Sequence, residues 1–86
     1  MYKVLVSKQA AKDLENIKAA GLSEKVKSII EHLKDNPRCL PYEKLVGNLK
    51  GFYSKRINIQ HRLVYKIDDE EQIVLIVSMW SHYQNV

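Results

Sequence analysis

The sequence predicts an α+β domain in which one strand and two N-terminal helices pack on a mostly antiparallel, four-stranded twisted sheet. Three observations carry that prediction. Apolar residues recur at helical spacing in two blocks between residues 8 and 36, and two β-prone runs separated by a short polar stretch follow between Phe52 and Ile67. A continuous apolar run, Ile73-Val74-Leu75-Ile76-Val77, completes the pattern. Two apolar helix stripes need a shared surface to cover, and the later sheet supplies it.

Tyr2 to Val6 alternates and is β-prone, which makes it the first strand. Ser7 offers a hydroxyl as N-cap for a helix over about residues 8 to 20, and Gly21 is placed to stop it. On that helix Ala10, Leu14 and Ile17 form one stripe, with Lys8, Lys12, Asp13, Glu15 and Lys18 largely elsewhere. Ser23 is the expected cap of a second helix, whose face is Val26, Ile29, Ile30 and Leu33 and whose end is set by Asn36-Pro37. His32 falls off the stripe and reads as a surface residue.

Residues 37–50 hold both prolines and few periodic apolar positions, and so read as a loop. Beyond it Phe52–Ile57 and Arg62–Ile67 read as a hairpin. Alternation puts Leu63, Tyr65 and Ile67 on one face and Arg62, Val64 and Lys66 on the other, while Phe52, Ser54 and Arg56 share a face of the first run. Two arginines on neighbouring strands then present guanidinium groups in one direction, an arrangement suited to phosphate, although cations on a solvated face also serve solubility. After a polar turn at Asp68–Glu71, the run Ile73–Val77 has the look of a central strand buried on both sides. Trp80, next to it, reads as a packing residue.

The chain has 86 residues, one cysteine (Cys39) and a formal charge of +4. That length allows one domain, residues 1–86, with a modest core, and a lone cysteine excludes an internal disulfide framework. Neither a membrane span nor a secretory leader is legible, so the expectation is a cytoplasmic protein. The charge is uneven: Arg38 to Lys66 holds seven basic residues and one acid, Glu43, whereas residues 68–86 hold four acids and no base. A basic zone on a small domain is the footprint expected for a polyanion partner.

The segment GFYSKRINIQHRLVYKI, with the near-terminal His82-Tyr83, the element order and the small basic size, resembles the YoeB (Txe-type) branch of the RelE toxin superfamily, the ribosome-dependent mRNA interferases of bacterial toxin–antitoxin pairs. The family pattern L-x-G-[FY]-[WY]-S-[RK]-R-I-x-x-x-H-R-L-V-Y is met from Leu49 through Tyr65. The resemblance implies the RelE/YoeB-like (microbial RNase-like) fold and an endoribonuclease that works without cofactor or metal. RNA carries its own nucleophile, the 2′-OH, so a base, one or two arginines and an acid suffice.

By that resemblance Glu43 is the general base, Arg62 holds the scissile phosphate, and His82 is the general acid. Tyr83 orients the phosphate or stacks on a base. Arg56 positions the RNA with Lys44, Lys50 and Lys55, and His61 stays structural. Two positions depart from the family: Val46 stands where many members carry a lysine, and Trp80 where a basic residue is often seen. The implied partners are a cognate acidic, partly disordered antitoxin, mRNA in the A site of the 70S ribosome, a second copy in some relatives, and operator DNA only through the antitoxin complex. Two competing readings share this fold class. One is a ParE-like toxin that inhibits DNA gyrase by protein binding and lacks the glutamate, arginine and histidine set; the other is an RNA-binding module without chemistry.

Overall fold

A computed structural model describes residues 1–39 and 41–81 of the chain. The sheet has five strands, β1 (Lys3–Val6), β2 (Glu43–Lys44), β3 (Phe52–Arg56), β4 (Arg62–Asp68) and β5 (Ile73–Ser81), in the order β1-β5-β4-β3-β2. Among the described residues β1 and β5 run parallel, and the pairs β2–β3, β3–β4 and β4–β5 are antiparallel. Two helices, α1 (Lys8–Ala19) and α2 (Ser23–Asp35), follow β1. The α+β expectation holds, with one strand more than expected. The addition, β2, is two residues long inside the expected loop, and so short a strand leaves no periodic trace in the sequence.

The helix termini follow from local chemistry. Ser7 caps α1, its Oγ accepting the Ala10 amide at 3.1 Å. The same hydroxyl donates to the Val77 carbonyl at 2.8 Å, tying the cap to β5. At the other end Gly21 (φ +73) turns into the left-handed region; its amide bonds Lys18 O, and the Leu22 amide bonds Ile17 O. That closure consumes Leu22, so α2 starts at Ser23 itself with Leu22 as its N-cap and no side-chain capping bond, and the expected Ser23 cap is not formed.

The core lies between the helices and one face of the sheet. Ala10 and Ile17, Val26 and Leu33, Leu63 and Tyr65, and Val74, Ile76 and Met79 are buried there, each large aliphatic side chain contributing about 1.5–3 kcal/mol. Since the helices cover a single face, β5 alternates: Val74 and Ile76 are buried while Ile73, Leu75 and Val77 are partly exposed. The expectation of burial on both sides is corrected, and the middle strand is β4.

A second correction concerns Asp13, expected off the apolar stripe and found 6% exposed. Its Oδ2 accepts the Met79 amide at 3.0 Å, and its Oδ1 accepts Gln9 Nε2 at 2.9 Å. The β4–β5 register slips on either side of Val64, and the carboxylate takes up the amide of Met79 one residue past Ser78, the partner of Val64. Among the described residues no helix is long and apolar enough to cross a membrane.

Candidate active site

The sheet face away from the helices gathers three of the sequence-nominated groups, Glu43, Arg56 and Arg62. Register fixes who shares it: Glu43 pairs with Ser54 across β2–β3, and Arg56 pairs with Arg62 across β3–β4. Ser54 and Arg56 are two apart on one strand, so all four side chains lie on one side. Arg62 Nη1 donates to Glu43 Oε1 at 2.7 Å, a bridge from β4 to β2 that spans β3. The arginine side chain is 18% exposed and the glutamate 52%, so the carboxylate stays wetted. Glu43, Ser54, Arg56 and Arg62 line one cavity of about 260 Å³ together with Pro41 and Tyr42.

The segment that carries Glu43 is tied to the core at successive residues. Tyr65, fully buried, donates its hydroxyl to Pro37 O at 3.0 Å, and burial pushes that phenol well above its ordinary pKa. Arg38 grips Asp69 with both guanidinium arms, at 2.9 and 2.8 Å, and the Tyr2 hydroxyl reaches the same carboxylate at 2.7 Å. The Arg38 bonds, then that of Tyr2, hold the Asp69 carboxyl down to about 2. Tyr42 meets Tyr53 edge-on at 5.5 Å, and Tyr53 stacks on Tyr65 at 5.8 Å.

Lys55 belongs to this anchoring. Expected among the RNA contacts, it lies on the helix side of β3, 7% exposed, with Nζ donating to Cys39 O at 2.7 Å and Pro41 O at 3.0 Å. A lysine buried this far has its charge committed to those carbonyls and holds the segment before β2 in place. Lys44 and Lys50 are exposed but line a separate depression of about 410 Å³ with Val46 and Phe52. Of the nominated cations, Arg56 and Arg62 share the cavity with Glu43.

His61 stacks on Trp80, ring centroids 3.8 Å apart, which gives both the packing roles expected of them. The loop between β3 and β4 closes locally: Asn58 Oδ1 accepts the Gln60 and His61 amides, and the Ile57 amide bonds His61 O. His82 and Tyr83 lie outside the described residues. β5 brings the chain as far as Ser81, which pairs with Arg62. Sequence reasoning missed Ser54 as a lining residue; strand alternation placed it on the Arg56 face but gave no sign of its burial.

Comparisons with known proteins return toxins, under the names ParE and YoeB. Residues 4–86 match the family model described as the ParE toxin of type II toxin–antitoxin systems, parDE. The Synechocystis protein called Toxin YoeB is 52% identical over 49% of this chain and 46% of its own length, so the match spans under half of that relative. The Escherichia coli K12 protein of the same name is 42% identical over 67% of this chain and 73% of its own. Among solved structures, the YoeB–YefM complex of Staphylococcus aureus contains a chain with a TM-score of 0.78 and 32% identity, covering 96% of this chain and 99% of that one.

Proposed function

This chain belongs to the ParE-toxin family of type II toxin–antitoxin systems and is a toxin of the YoeB type, and we propose that its toxic act is to cut messenger RNA. The observation that carries this is the 2.7 Å meeting of Glu43 and Arg62, nineteen residues apart, beside Arg56 on an open sheet face. A carboxylate and two guanidinium groups at one cavity supply what phosphodiester cleavage by a ribose hydroxyl requires.

In this reading the scissile phosphate settles against Arg62 and Arg56 and draws Arg62 from Glu43, whose carboxylate is then available as base. Glu43 takes the 2′ proton; the 2′ oxygen bonds to phosphorus as the bond from phosphorus to the 5′ oxygen breaks. The products are a 2′,3′-cyclic phosphate and a 5′-hydroxyl. The two arginines neutralise charge that builds on the five-coordinate phosphorus, and His82 protonates the departing 5′ oxygen. An imidazole with an ordinary pKa near ~6.5 suits proton donation around neutrality. Tyr83 beside it is proposed to orient the phosphate or stack on a base.

The protein acts in the cytoplasm on mRNA presented in the ribosomal A site, and an acidic cognate antitoxin holds it silent by covering the basic face. The S. aureus relative stands in complex with YefM, and that toxin is also known as a dimer, which supports an antitoxin and a second copy as partners here.

The test is a reporter mRNA translated in a purified bacterial system with the protein, Glu43→Gln, Arg62→Ala or His82→Ala, and 5′ ends mapped by primer extension. New ends are expected with the parent chain and a loss of about 10²-fold or more in each variant. Intact mRNA with lost gyrase supercoiling would establish the ParE-like reading instead.

A further inference from the structure

Ser54 is 1% exposed, and among the described residues its Oγ has no hydrogen-bond partner. Buried hydroxyls nearly always have one, so an exception in a catalytic cavity calls for a reason. Packing does not provide it, because alanine would occupy the position without stranding a polar atom. Position does. Ser54 pairs with Glu43 on one side and Val64 on the other, and it shares the 260 Å³ cavity with Glu43, Arg56 and Arg62. The Arg62–Glu43 bridge crosses β3 on the face that Ser54 and Arg56 present. With the Glu43 side chain 52% exposed, solvent and a phosphate can reach that bridge.

We propose that the Ser54 hydroxyl is a third phosphate contact of this site, donating a hydrogen bond to one non-bridging oxygen of the scissile phosphate once Arg62 has turned from Glu43 to that phosphate. The inference rests on the RNA-cutting reading above. The two guanidinium groups supply charge without much choice among the phosphate oxygens, whereas a hydroxyl fixed on a strand selects one. Ser54 therefore selects which of the two non-bridging oxygens is held against the strand while the 2′ oxygen attacks in line with the departing 5′ oxygen. Before the phosphate arrives, the hydroxyl waits unpartnered beneath the bridge, and substrate binding satisfies it.

The experiment uses the full chain and Ser54→Ala. Single-turnover cleavage is measured on ribosome-bound mRNA carrying the Rp or the Sp phosphorothioate at a mapped cleavage site. The parent should cut one isomer much faster than the other. Ser54→Ala should lower the all-oxygen rate by about 10²-fold, as removal of one preorganised donor does, and bring the isomer ratio toward unity at an unchanged or higher melting temperature. A rate within twofold of the parent, or a slower rate with the isomer ratio intact, overturns the proposal.

A second measurement separates this idea from the nuclease reading. The free chain is titrated with deoxyadenosine 3′-monophosphate, followed by the Ser54 resonances. Should the parent cut nothing, the nuclease reading fails, and the phosphate contact stands if Ser54→Ala weakens nucleotide binding several-fold and falls if it does not. If the variant does not fold, the parent titration decides, and Ser54 resonances that stay still at saturation overturn the contact.

Discussion

Replacing Lys55 by methionine keeps the length of the side chain and removes its charge together with the two bonds to Cys39 O and Pro41 O. A hydrogen bond from a charged donor is worth about 1.5–3 kcal/mol net, so two of them set a ceiling near ~6 kcal/mol. Two effects lower it. Methionine no longer has to be desolvated as an ion, which returns part of a penalty of several kcal/mol. Pro41 is exposed and Cys39 half-buried, so water can reach the stranded carbonyls. The expected net cost is about 2 kcal/mol, which for a domain of this size lowers the melting temperature by roughly 10 °C. Calorimetry gives that shift, and hydrogen exchange should show faster opening at residues 38–44. RNA affinity should change less than the cleavage rate, since what is lost is the seating of Glu43. A melting temperature within about 2 °C of the parent, combined with weakened RNA binding, would refute the anchoring role and restore Lys55 to the interface.

Three other outcomes are expected. Glu43→Ala and Arg62→Ala should each abolish growth inhibition while capture of the antitoxin persists; a variant that stays fully toxic at matched expression rules out the role given to that residue. Asp13→Ala should cost about 2 kcal/mol in guanidinium unfolding, because the buried Met79 amide loses its acceptor. Asp13→Asn, which keeps an acceptor oxygen, should recover part of it, and an alanine variant as stable as the parent would show that water serves that amide equally well. The Asp69 carboxyl, held down to about 2 first by Arg38 and then by Tyr2, adds stability that is fully present above its unfolded value near ~4 and is lost as pH falls through about 2. Denaturant midpoints of the parent should therefore fall across that window more steeply than those of Arg38→Met, and the difference should shrink in high salt because the pair is exposed. Parallel curves would leave the clasp without energetic weight.

By itself the sequence determined the parts of this protein that depend on near neighbours: both helices from their stripes, the closure at Gly21 from its place after a helical run, the hairpin from its two β-prone runs, and the basic middle from composition. Family resemblance added the residues to watch. The tertiary structure alone decided where charged side chains end up when their partners are distant in the chain. Asp13 reads as a surface acid until the slip in β5 brings the Met79 amide to it, and Lys55 reads as one cation among many until the packing of the preceding segment brings the Cys39 and Pro41 carbonyls to its ammonium. Strand β2 exists only because β3 offers it an edge, and it is this pairing that puts Glu43 beside Ser54 and within 2.7 Å of Arg62. Periodicity records which face a residue takes on its own element. Which strands become neighbours, in what register, is settled by the packing of the whole chain, and the candidate site is made of such neighbours.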